Sequence, residues 1–111
     1  MPLKVQEGLV DQPDEIIHQP VRLRIMSALR ALPEREKLEF VQIKALVQAT
    51  DGNLGAHIGT LEQAGYIAVE KDFVGKKPRT RMQLTKPGRR AFERYVLFLR
   101  EIVDGCGDKP T

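Results

Sequence analysis

The sequence predicts an α+β domain, mostly helical, in the order helix, short strand, helix, helix, β-hairpin, C-terminal helix. Apolar residues recur at helical spacing in four separate stretches, and two runs of strand formers flank a Gly-Lys-Lys-Pro turn. Capping residues stand where the helical periodicity starts and stops. The 111 residues fit one domain, and a composition of 41% hydrophobic and 30% charged residues is that of a folded chain, too apolar for a disordered one.

Residues 1–13 show no sustained periodicity and read as an arm, followed by a short turn at Asp14–His18. Pro20 suits a first helical turn, where its missing N–H costs nothing. From it Val21, Ile25, Ala28, Leu29 and Leu32 form one apolar face, with Leu23 and Met26 on the other side. Pro33 ends that pattern, Glu34–Lys37 is a charged turn, and Leu38-Glu39-Phe40 alternates like a very short strand. A second helix is marked by Ile43, Leu46 and Val47 and gives way to a polar turn at Gln48–Gly52, where Thr50 or Asp51 can cap the next helix. The third helix carries Leu54, Ile58 and Leu61 as a narrow core stripe, with Gly65 placed to end it. Tyr66–Val69 with Phe73-Val74, and then Thr80–Thr85, predict a hairpin whose tip, Gly75-Lys76-Lys77-Pro78, is basic. Thr85 caps a last helix with Pro87 in its first turn, and Asp104–Gly107 is expected to stop it. The expected division is an arm at 1–13, a domain at 14–104 closed by a dimerisation helix at 86–104, and a flexible tail at 105–111.

Several function classes find no footing. Apolar residues nowhere run for the ~18 needed to cross a bilayer, and the start, Met1-Pro2-Leu3-Lys4, lacks a signal peptide's apolar stretch, so the expected location is cytoplasmic. The one cysteine, Cys106, cannot form an internal disulfide, and two distant histidines plus a tail thiol do not make a metal site. No Gly-rich phosphate loop, nucleophile-and-base pattern or paired carboxylates in an apolar setting points to catalysis. The expectation is a protein that is not an enzyme and has no cofactor.

Charge is distributed unevenly. Gly75–Arg90 holds seven basic residues and no acid; with the net charge at +3, the rest of the chain is left at −4. A basic block on an otherwise acidic chain suits a polyanion partner, here double-stranded DNA. Two short helices joined by a tight turn, with a hairpin directly after the second, is the winged helix-turn-helix layout, which sets one helix in the major groove and the hairpin on flanking backbone. Opposite its core stripe the third helix displays Gly52, Ala56, Gly59, Thr60 and Gln63, with Asn53 alongside. Asn and Gln can pair bidentately with adenine, while Ala and a Thr methyl can touch the thymine methyl, so this face is competent to read A·T pairs. His57, about 60° off the stripe, reads as a partly buried structural histidine bonded to nearby backbone. Lys76, Lys77, Arg79 and Arg81 are the expected phosphate contacts, serving affinity rather than sequence reading. On the last helix Ala91, Phe92, Tyr95, Val96, Phe98, Leu99, Ile102 and Val103 span about 160°, wider than the ~100° that one core needs. With Leu23 and Met26, that surplus predicts a homodimer interface.

These residues also carry a resemblance. His18–Met26, Thr50–Leu54, His57 with Leu61–Tyr66, and Phe73–Thr80 with Leu84–Arg89 are similar to the small stand-alone winged-helix regulators related to the MarR and ArsR groups, over about residues 14–103. The resemblance implies a dimeric bacterial or archaeal transcriptional regulator whose third helix enters the major groove and whose wing meets the backbone. Relatives often carry Ser, Arg or Lys where this chain has Gly55, Ala56, Gly59 and Thr60, so its reading helix is unusually bare. Val41 stands where a Ser or Thr would commonly cap the second helix, and the thiol ligands of metal-sensing relatives are absent. Two other functions fit the same layout: a module whose basic wing meets an acidic protein, and a nonspecific architectural DNA binder.

Overall fold

The structure, a computed structural model, describes residues 14–107; the expected arm at 1–13, residues 108–111 and the side chain of Cys106 lie outside the described residues. Helix α1 (Pro20–Arg30) begins where the Gln19 side chain accepts the Arg22 N–H at 2.8 Å, with Pro20 in the first turn. Ahead of it the Asp14 carboxylate accepts the N–H groups of Ile16 and Ile17, fixing a turn that drives Ile17 fully into the core. Strand β1 (Leu38–Glu39) leads without a break into α2 (Phe40–Val47), so Phe40 is the first helical residue rather than the last of a strand. Its cap is Glu39, whose backbone N–H donates to the Gln42 side chain at 2.8 Å; the N-cap therefore lies two residues before Val41.

Gln48, left-handed at φ 56, turns the chain sharply between α2 and α3 (Asp51–Gln63). The Thr50 hydroxyl caps α3 by accepting the Asn53 N–H at 3.2 Å. At its other end Gly65, at φ 81, allows the Tyr66 N–H to reach Leu61 O and the Gly65 N–H to reach Glu62 O, closing α3 in a Schellman motif. Strands β2 (Ile67–Val74) and β3 (Lys77–Leu84) then form a hairpin joined by only Gly75-Lys76, with Gly75 at φ 62 as a two-residue turn requires. The hairpin is longer than expected. Glu70–Asp72 belongs to β2, and Lys77, Pro78 and Arg79 are strand residues rather than tip. The sheet order is β1-β3-β2, antiparallel throughout.

Helix α4 (Lys86–Gly107) is capped by Thr85, whose hydroxyl accepts the Gly88 N–H at 2.9 Å. It continues through Asp104 to Gly107 rather than stopping at 104, so residues 105–107 are helix and not tail. The core gathers Ile25, Met26 and Leu29 of α1, Ile43 and Val47 of α2, Leu54, Ile58 and Leu61 of α3, Ile67, Met82 and Leu84 of the sheet, and Ala91, Phe92, Tyr95 and Phe98 of α4. Helix α1 is its axis, packed against α2, α3, β3 and α4.

Candidate nucleic-acid interface

Because Leu54, Ile58 and Leu61 are buried, the opposite side of α3 must face out. Gly52, Asn53, Ala56 and Gln63 are exposed, and Gly59 and Thr60 are half-buried at its margin. A Cβ built on Gly52, Gly55 or Gly59 would meet nothing within 4 Å, so no packing inside the protein requires these glycines. The Thr60 hydroxyl donates to Ala56 O at 3.1 Å, which occupies it within its own helix. At the helix start Asp51 pairs with Lys44 of α2, tying the two helices together across their turn.

His57 is half-buried, as expected, but its partner is a side chain: Arg22 of α1 donates to the imidazole Nδ1 at 3.0 Å. A guanidinium carries donors only, so Nδ1 accepts and holds no proton. Burial, and then the Arg22 charge, lower the His57 pKa below its ordinary value. Tyr66, just past α3, donates its hydroxyl to Asp14 at 2.7 Å; burial first, and that bond second, push its pKa up to about 12.

The hairpin holds fewer available cations than its composition suggests. Arg79 donates twice to the Asp72 carboxylate directly across the sheet, at 2.9 and 2.7 Å. Arg81 donates to Glu70 at 2.9 Å and reaches Asp72 at 3.4 Å, and Lys37 binds Glu70 from beyond β1 at 2.9 Å. The bond to Arg79 holds the Asp72 carboxyl below its usual range, and that to Lys37 does the same for Glu70. Of the four wing cations singled out in the sequence, only Lys76 and Lys77 make no ion pair among the described residues. The acids that occupy the arginines lie outside Gly75–Arg90, on the partner strand, and only the register brings them opposite.

The structure also redistributes the surface expected between two copies. Met26 is fully buried, and Phe92, Tyr95 and Phe98 lie in the domain's own core. Helix α1 packs against α2, α3, β3 and α4 and leaves only a stripe at Pro20, Arg24 and Ser27 exposed, which sinks Met26, and the two Phe rings and Tyr95 help hold α4 to the domain. Leu23, Val96 and Leu99 are half-buried, Ile102 and Val103 are exposed, and so is Leu97, which the sequence reading left out.

A family model described as a winged helix DNA-binding domain matches residues 21–103. The chain belongs to that family. An uncharacterised protein of Methanocaldococcus jannaschii is 33% identical over 88 residues, 79% of this chain and 92% of that one. The solved structure of a transcriptional regulator homologue from Pyrococcus horikoshii is 34% identical, covers 84% of this chain and 89% of its own, and superposes with a TM-score of 0.74. A MarR family regulator from Silicibacter pomeroyi, 18% identical, covers 87% of this chain and 62% of its own, with a TM-score of 0.61. That more distant likeness is one of fold. The winged-helix order expected from the sequence is the one the chain adopts.

Proposed function

We propose that this winged-helix protein is a transcriptional regulator that binds double-stranded DNA as a homodimer in the cytoplasm. Helix α3 enters the major groove, where Gly52, Asn53, Ala56, Gly59, Thr60 and Gln63 meet base edges. The observation that carries this reading is the open, side-chain-poor outer face of α3 beside a cationic hairpin. Three glycines that nothing in the fold requires leave the helix backbone free to approach a ligand closely, a known use of glycine. The name of the Pyrococcus horikoshii relative, a transcriptional regulator homologue, points the same way. With Arg79 and Arg81 held by Asp72 and Glu70, contact with flanking phosphate falls to Lys76 and Lys77. Among the described residues no helix is long and apolar enough to cross a membrane.

The test is a selection of bound fragments from the protein's own genome, followed by titration of a recovered duplex over a range of salt. Lys76→Ala and Lys77→Ala are each expected to lower the slope of log affinity against log salt by about one unit on every sequence. A protein that retains no duplex, or whose slope neither variant changes, overturns the reading in favour of a protein-interaction module. Equal affinity for all fragments moves it to architectural binding.

A further inference from the structure

The cations of Gly75–Arg90 do not serve one place. Lys76 and Lys77 stand at the hairpin turn, and Arg79 and Arg81 are held by Asp72 and Glu70 across the sheet. Lys86 and Arg89 lie past the other end of β3, on the first turn of α4, where Arg35 of the connection between α1 and β1 joins them. The three side chains line one open cavity of about 320 Å³, together with Glu34, Gln83 and Thr85.

The register explains why this charge is left uncompensated. Met82 and Leu84 are buried, so Gln83 lies on the opposite face of β3, the face of Arg79 and Arg81. Asp72 and Glu70 stand opposite those two arginines, but Ala68 stands opposite Gln83, so the partner strand supplies no acid at this end. Among the described residues Arg35, Lys86 and Arg89 make no ion pair, and Glu34, the one carboxylate on the cavity, makes none either. Folding does not favour the cations here, because α4 has no acid in its first turn and positive charge at a helix start opposes the helix dipole. Backbone donors are already taken. The Thr85 hydroxyl accepts the Gly88 N–H, its carbonyl accepts the Arg89 N–H, and Pro87 has none, so the free binding groups are side chains.

We propose that this cavity binds a small phosphate anion, free or as a phosphomonoester. The Arg35 and Arg89 guanidinium forks take phosphoryl oxygens, Lys86 adds a point charge, and the Gln83 amide donates to a remaining oxygen. A volume near the lower end of the range for ligand pockets suits one phosphate carrying a few carbons rather than a nucleotide. An anion held there bridges the start of α4 to the connection between α1 and β1.

The DNA backbone is another source of phosphate, and the position of the cavity argues against it. The eight residues of β3 separate it from the hairpin turn by roughly 25 Å at ~3.3 Å per residue. Thr85 also donates its hydroxyl to Gly65 O and its N–H to Tyr66 O, just past the C-terminal end of α3, whereas recognition helices meet bases with their N-terminal residues. The site stands whether or not the protein binds DNA.

The test titrates the whole chain with inorganic phosphate and with glycerol phosphate, at constant ionic strength in chloride, and follows backbone amide shifts by NMR. Saturable shifts are expected around Arg35, Gln83 and Lys86–Arg89, half-complete at or below about 1 mM. Tighter binding of glycerol phosphate assigns the site to an ester and tighter binding of inorganic phosphate to the free anion; either supports the proposal. Arg35→Gln and Arg89→Gln should each weaken binding about tenfold, and Arg35→Lys should recover only part, since it restores the charge without the fork. Lys77→Ala, at the hairpin turn, should change nothing. If Arg89→Gln lowers the unfolding temperature, the exposed Arg35 decides alone. Shifts that rise without saturating, or that persist when Arg35→Gln and Arg89→Gln are combined, would overturn the inference. So would a wild type blind to phosphate whose salt slope on duplex DNA falls in that double variant, which assigns these cations to the DNA backbone. Phosphate saturation in a protein that retains no duplex upholds this site and ends the DNA reading alone.

Discussion

At Gly88 a Cβ would sit 1.9 Å from the Tyr66 carbonyl oxygen and 2.7 Å from its carbonyl carbon, so any side chain there must push backbone against backbone. Gly88→Ala is expected to destabilise the domain by about 2–3 kcal/mol despite alanine's better helix propensity, because a contact of this kind has no flexible neighbour to yield. Thermal unfolding should show a Tm drop of roughly 10 °C or more; an unchanged Tm would mean that α4 can shift freely at its start. His57 supplies a second residue-scale expectation. Its pKa in the fold lies below the ordinary 6.5, so between those two values the folded chain binds fewer protons than the unfolded one. Its contribution is therefore complete above about pH 6.5 and is lost as the pH falls from there through the folded value. Unfolding measured between about pH 8 and pH 5 should show the wild type losing stability relative to His57→Gln as acidity rises; parallel curves would contradict it. The sequence signalled a partly buried histidine from its angle on α3. It could not signal Arg22, 35 residues away and on another helix.

Within elements, boundaries were legible wherever a side chain or a backbone conformation enforces them. Thr50 and Thr85 mark helix starts by a capping bond, Gly65 marks an end by its positive φ, and Pro20 marks a start because its ring suits the first helical turn. The hairpin was harder to read, because Glu70-Lys71-Asp72 is polar on both faces and breaks the alternation on which strand reading depends; cross-strand ion pairing, invisible until the register is known, holds that stretch together. Met26 was misplaced for a related reason: Arg24 and Ser27 mark the exposed side of α1, but the buried side is wider than the stripe through Ile25 and Leu29 and takes in Met26 as well. For α3 the outer face was legible, and its glycines give the most discriminating expectation at this scale. Gly59 lies in open space within the helix, so Gly59→Ala should stabilise the protein by up to about 1 kcal/mol. Gly59→Leu should fold equally well yet lose specific DNA binding, as read by unfolding and duplex titration on the same samples. Undiminished affinity in a folded Gly59→Leu would remove α3 from the groove.

Across the whole molecule, the domain's own packing uses α4 only as far as Leu99. The helix continues eight residues to Gly107, about 12 Å at 1.5 Å per residue, with Ile102 and Val103 exposed and Leu97 bare alongside. Light scattering at tens of micromolar should give twice the chain mass of 12.6 kDa, and Ile102→Lys combined with Val103→Lys should return it to one copy without a lower Tm. A monomeric wild type would end the dimer expectation and with it that of a palindromic site. The start of α4, by contrast, is tied to the end of α3. The Thr85 N–H donates to Tyr66 O at 3.1 Å, its hydroxyl donates to Gly65 O at 2.6 Å, and Gly88 rests against the same carbonyl. No hinge separates the helix proposed to read DNA from the helix proposed to join the copies. In such a pair the molecule works as a caliper: the crossing angle of the two α4 helices sets the gap between the two α3 helices. A few degrees of change at the far end would move the jaws off the roughly 34–36 Å spacing of successive major grooves, so any event that repacks the α4 tips would register as a loss of fit to DNA.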